Sequence, residues 1–213
     1  MIWALYPLGD GSEDGDEELR YSLRSLERHA KGVERVVIVG KCPDFIDRGE
    51  VLHIEMEESS KEFPWWNVMY KIHRAFEETG EPRFFFMNDD FFLVKDVDAE
   101  NYPFYYRGVN RGKLNCRLHV PCIYEREIFE RVFEQQCYNF DENVSLRSLY
   151  GEEIRDHLVW RDDVKLFSRK AVDVEKWVAG LGTEVFSTSP DNFKGNVERW
   201  LAERYCEKCR WEK

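Results

Sequence analysis

The chain has 213 residues, 43% hydrophobic, 34% charged and 15% aromatic, with a formal net charge of −11. This fits one globular α/β domain with a full core, or at most two small domains, and shows no sign of disorder. The acidic balance disfavours nucleic acid, whose backbone needs clustered Lys and Arg, and no run reaches the roughly 18 apolar residues of a membrane span. The start, "MIWALYPLGDG", lacks the charged head and long apolar run of a signal peptide, so a cytoplasmic location is expected. Six scattered cysteines do not form a secreted disulfide framework; Cys206-Glu-Lys-Cys209 is a weak zinc signal without a second such pair.

In chain order, "IWALY" reads as a short strand and "LGDGSEDGDEE" as a Gly- and acid-rich loop. From Glu17 to His29, Leu19, Leu23 and Leu26 fall at helical spacing. "VERVVIVG" (33–40) and "VLHIEM" (51–56) read as strands, and "WWNVMYKIHRAFEETG" as a helix closed by Gly80. "RFFFMN" follows as a strand. This alternation predicts a mainly parallel, helix-covered sheet. Shorter strands are then expected at "FFLV", "PFYYRG" and "LHVPCIY", with a helix from about Glu125 to Cys137 and another over Ser148–Trp160. "VKLF" and "EVFSTS" read as late strands, with Asp162, Asp163 and Lys165 opening the first. Asp191 or Asn192 is expected to cap a last amphipathic helix reaching Tyr205.

The segment "RFFFMNDDFFLVKDV" drives a buried strand into Asn88-Asp89-Asp90. Oxygen-bearing side chains there are costly to desolvate unless something binds them. Strand alternation would put Asn88 and Asp90 on one side and Asp89 on the other, a pairing that suits Mg²⁺ or Mn²⁺. A simple turn explains the triplet equally well.

"ELRYSLRSLERHAKGVERVVIVG", then a strand and a helix, then "FFFMNDDFFLVKDV", resembles the nucleotide-sugar-using part of GT-A type glycosyltransferases. More narrowly it resembles the Stealth family of capsular polysaccharide sugar-phosphate transferases. "LHVPCIYEREIFERV" is similar to that family's His-x-Pro segment and following helix. The likeness runs over roughly residues 16 to 135; the family's N-terminal Trp-Val-Asp-Gly block is absent, with "IWALYPLGDG" in its place.

The resemblance implies a single GT-A-like (Rossmann-like) domain, with residues 1–90 as the nucleotide-binding half and 91–213 as the acceptor side. It implies a metal-dependent transferase moving a sugar from a nucleotide-diphosphate donor, a UDP-sugar foremost, to a hydroxyl acceptor, with a carbohydrate expected. The alternatives are a Stealth-type transfer of sugar-1-phosphate, a non-catalytic nucleotide-sugar-binding module, or a modified nucleic-acid base as acceptor. Asn88-Asp89-Asp90 would stand where GT-A enzymes carry Asp-x-Asp, with Asp90 and Asn88 on Mn²⁺ or Mg²⁺ and Asp89 beside them in the catalytic group. Tyr6 and Pro7 would lie at the nucleotide base and ribose, and Arg20 or Arg24 could reach the diphosphate. Asn67 and Lys71 share one helix face behind a possible Trp65-Trp66 stacking platform. His119 would orient the acceptor or shuttle its proton, and Glu152 or Glu153, read as opening a helix, would be the base. Helix-terminal acids and a core histidine are the plainer readings of these last three.

Overall fold

Apolar runs become strands and the leucine stripe becomes a helix, in a computed structural model that describes residues 1–9, 15–58, 64–110, 112–138, 145–166 and 173–213. Residues 10–14 of the expected acidic loop lie outside these, as does Phe167 of the expected "VKLF" strand. β1 (Ile2–Leu8) leads to α1 (Glu17–His29), which buries Leu19, Leu23 and Leu26. Acids in its first turn and bases in its last both complement the helix macrodipole. The short β2 (Ala30–Lys31) precedes β3 (Val33–Gly40) and β4 (Val51–Ile54). α2 (Pro64–Thr79) ends at Gly80, whose φ of 73° supplies the left-handed turn that releases the chain into β5 (Arg83–Phe86).

β6 (Phe91–Leu93), β7 (Val97–Asp98), β8 (Phe104–Tyr106), β9 (Gly108–Asn110), β10 (Lys113–Asn115) and β11 (Cys122–Glu125) follow, all short. α3 (Arg126–Tyr138), α4 (Leu146–Glu153), β12 (Leu158–Trp160), α5 (Val174–Leu181), β13 (Val185–Ser187), the single turn α6 (Pro190–Asn192) and α7 (Glu198–Arg204) complete the described chain.

The central sheet runs β11-β5-β1-β3-β4, with β11 antiparallel on β5 and the other pairings parallel. This is the mainly parallel sheet that the alternation predicts. The chain steps from β1 to β3 in one direction and from β4 to β5 in the other, so the strand order reverses between β1 and β5. Right-handed crossovers then place α1 and α2 on opposite faces, and it is beyond the carboxyl ends of strands at such a reversal that open α/β sheets bind ligands. Phe84, Phe85, Phe86 and Met87 are buried, as a strand covered on both faces requires. A second cluster joins Phe92, Phe186, Phe193 and Leu201 where β6, β13 and α7 meet.

Four local expectations are corrected. The helix over Ser148–Trp160 is instead α4, capped by Ser145, followed by a 3₁₀ turn and by β12, whose "LVW" pairs with β8. Gly151-Glu152-Glu153 therefore closes a helix rather than opening one. Leu118–Val120 is irregular, and the strand begins only past Pro121, which has no N–H for a ladder. The last helix is broken at Gly195, which takes φ 90°, and Ser189 holds its N-cap position; Asn192 instead donates to Ser189 Oγ (2.7 Å) and to the Leu166 carbonyl (3.0 Å).

Candidate functional site

β5 stops at Phe86, and Phe91 N–H donates to the Asn88 carbonyl (3.2 Å), so Asp89 and Asp90 sit at the centre of a turn. The acidic triplet is thus a turn at the carboxyl edge of the sheet. Strand pleating has ended before it, so other elements set where each carboxylate goes. α1 holds this turn from behind. Ser22 Oγ lies 2.7 Å from the Phe91 carbonyl, 3.2 Å from that of Asn88 and 3.1 Å from Tyr6 Oη. Ser25, one helical turn on, accepts from Leu93 N–H (3.0 Å).

Burial, reinforced by the adjacent charge of Asp90, pushes the Asp89 carboxyl up to about 6. Burial also raises Asp90, while Lys165 and His119 pull it back. Lys165 Nζ is 3.4 Å from Asp90 Oδ2; Asp90 Oδ1 is buried with no hydrogen-bond partner among the described residues. Sheet register brings the lysine there. Ser187 of β13 pairs with Phe91 of β6, and Lys165 bridges Ser187 from the other side.

His119 Nδ1 lies 2.9 and 3.2 Å from the two oxygens of Asp163, whose Oδ1 also accepts the His119 amide (3.1 Å). Burial raises the Asp163 carboxyl, but these hydrogen bonds outweigh it and hold the group below its ordinary value. An ionised carboxylate only accepts, so the Nδ1 facing it carries a proton. Arg147 packs between this segment and the turn. It donates to the Val120 carbonyl, and its guanidinium carbon lies 5.4 and 5.9 Å from the Phe86 and Phe91 ring centres. The structure therefore brings together Asp89, Asp90 and His119 with Asp163 and Lys165. The last two read in sequence only as the charged start of a strand, and nothing local in "RDDVKLF" marks them otherwise.

The remaining residues go elsewhere. Tyr6 is fully buried against Ser22, so its ring is core and does not reach a nucleotide; Pro7 is half-buried. Arg20 and Arg24 bind Glu212 instead of facing the turn, at 2.8 Å for Arg20 and 2.6 and 2.8 Å for Arg24. Lys71 stays at the carboxyl edge of the sheet: its buried ammonium donates to the Leu8 carbonyl at the end of β1 (2.5 Å) and to Glu58 (3.0 Å). Asn67 is buried one turn earlier. Trp65 and Trp66 meet edge to face, and Tyr70 continues the aromatic row to Phe133 on α3. Glu152 accepts from Leu114 N–H and pairs with Arg155, and Glu153 pairs with Arg131 (3.6 Å).

Among the described residues, no three or more His, Cys, Asp or Glu could hold a metal between them. The unpartnered Asp90 Oδ1 nevertheless fits the single hard anionic ligand that Mg²⁺ or Mn²⁺ takes from a protein when a ligand's phosphates complete its shell. Burial pushes the Cys209 thiol up to about 12, so Cys206-Glu-Lys-Cys209 does not offer a ready thiolate pair. No helix among the described residues is long and apolar enough to cross a membrane.

No family model matches the chain. It is similar to the N-acetylglucosamine-1-phosphotransferase subunits alpha/beta of Mus musculus and of Homo sapiens, 29% identical over 127 residues in each case. That stretch covers 51% of this chain but spans only 10% of those relatives' length. The likeness agrees loosely with the Stealth-like resemblance.

Proposed function

We propose that the protein transfers a sugar-1-phosphate from a nucleotide-diphosphate sugar, a UDP-sugar foremost, to a hydroxyl of a carbohydrate acceptor. The observation that carries this reading is the meeting of the His119–Asp163 pair with the Asp90–Lys165 pair at the sheet's carboxyl edge. The likeness to a phosphotransferase favours moving phosphate with the sugar over plain glycosyl transfer. In this scheme the acceptor hydroxyl gives its proton to His119 Nε2 as its oxygen attacks the sugar-bearing phosphorus. The bond from that phosphorus to the bridging oxygen breaks, and nucleoside monophosphate leaves with the electron pair. Asp163 orients the imidazole and stabilises the imidazolium that forms. Lys165 places positive charge beside the phosphates.

Asp90, with Asn88, would hold Mn²⁺ or Mg²⁺, which when bound supplies neutralisation of the diphosphate. The first ninety residues, with Asn67 and Lys71, form the donor side, and the remainder forms the acceptor side. Glu152 and Glu153 stay outside the scheme because their partners lie in β10, α3 and the turn after α4.

The test is product analysis of the purified chain with UDP-N-acetylglucosamine, Mn²⁺ and a panel of methyl glycosides. Release of UMP with a phosphodiester-linked sugar supports the proposal. Release of UDP would mean glycosyl transfer instead, and donor binding without release would leave only a binding module.

A further inference from the structure

A cavity of about 520 Å³ lies beyond Asp163, between β12 and the turn that follows α5, and nothing in the scheme above uses it. Its size suits a small ligand, as binding clefts run from roughly 300 to 1,000 Å³. Three features of its wall restrict the occupant.

One is aromatic. Trp160, at the end of β12, is 58% exposed and stands among the residues that line the opening, with Tyr105 of β8 beside it. A large ring left in water at a cavity mouth is a stacking surface. Another is charge. The wall carries the carboxylates of Asp162, Asp163 and Glu184 against the single guanidinium of Arg161. That guanidinium is already engaged, 2.8 Å from Glu184 and stacked 4.2 Å above Tyr105. A wall of this sign repels a nucleotide diphosphate and offers acceptors to a neutral, hydroxyl-rich molecule. The last is position. Asp163 lines the cavity and also holds His119 Nδ1, so the cavity ends one side chain from the imidazole.

We infer that this cavity is the acceptor subsite and takes a neutral pyranose, one face of its ring against Trp160 and its hydroxyls on Asp162. The inference rests on the transferase reading for its role, but the binding it asserts does not need turnover. Arg161 and Glu184 form part of its wall, and Tyr102 Oη donates to Glu184 (2.5 Å), which ties the α5–β13 turn to the body of the domain and preshapes the cleft.

The experiment uses the full chain, with saturation-transfer NMR on methyl glucoside, galactoside and mannoside, and the variants Trp160→Ala and Asp162→Asn. Because Trp160 is mostly exposed, its removal leaves the core intact, which circular dichroism checks. At least one glycoside should receive saturation from the wild type and lose it in Trp160→Ala. In turnover assays, KM for that acceptor should rise about tenfold in Trp160→Ala, with KM for the UDP-sugar unchanged. Glycoside contact without nucleotide release would sink the transfer reading and support the cavity as a sugar site. Nucleotide release with an unchanged acceptor KM in Trp160→Ala, or no contact from any glycoside in the wild type, would overturn the cavity assignment.

Discussion

Glu212→Ala is the sharpest test of where Arg20 and Arg24 belong. The Glu212 side chain is 0% exposed and accepts from Arg24 Nε and Nη2, from Arg20 Nη1 at 2.8 Å, and from Cys209 N–H at 3.1 Å. Truncation leaves the Arg24 guanidinium, 11% exposed, without its ion-pair partner, and leaves Arg20, 21% exposed, with Glu17 alone at 3.0 Å. Breaking a buried pair costs about 3–5 kcal/mol, and the partial exposure of Arg20 puts this case near 3 kcal/mol. That is a large share of a typical total of about 5–15 kcal/mol. With a urea m-value of roughly 1–3 kcal/mol/M, the midpoint should fall by about 1–3 M.

The dependence on pH fixes the sign. Burial raises the Glu212 carboxyl, but hydrogen bonds from Arg24, Cys209 and Arg20 hold it, on balance, below its ordinary 4.5. Its stabilisation is therefore complete above 4.5 and is lost as pH falls through the lower, folded value, so the gap between wild type and variant should close in acid. A loss under about 1 kcal/mol at pH 7, or a gap that persists in strong acid, would refute the ion-pair account. Arg24→Ala should likewise lower the urea midpoint. If it lowered only donor affinity, the arginine would belong to the diphosphate instead.

Asp163→Asn should cut kcat by about 10²- to 10⁴-fold with little change in donor KM, since it removes the acceptor that keeps Nδ1 protonated; steady-state kinetics check this. Asp90→Ala should abolish the extra thermal stabilisation that Mn²⁺ adds to a UDP-sugar, and a shift equal to wild type would exclude the metal role. Gly40→Ala should destabilise by about 3 kcal/mol or more in urea. Its Cβ would meet the Leu8 carbonyl oxygen at 2.1 Å and Lys71 Cε at 3.1 Å, at a φ of 111° that disfavours any side chain.

Local pattern alone determined the frame of this protein. The apolar runs of β1, β3 and β5, the leucine spacing of α1 and the stop at Gly80 depend on neighbours a few residues away. From them follow the parallel sheet and the arrival of Asn88-Asp89-Asp90 at its carboxyl edge. Only the tertiary structure decided which charges meet. Lys165 reaches Asp90 across 75 residues because β13 registers on β6, and Asp163 reaches His119 across 44. Arg20 and Arg24, placed by helical position to suit a phosphate, turn to Glu212 at separations of 192 and 188. A side chain's ionic partner is set by how distant segments pack, and no period within "RDDVKLF" or "ELRYSLRS" encodes that packing.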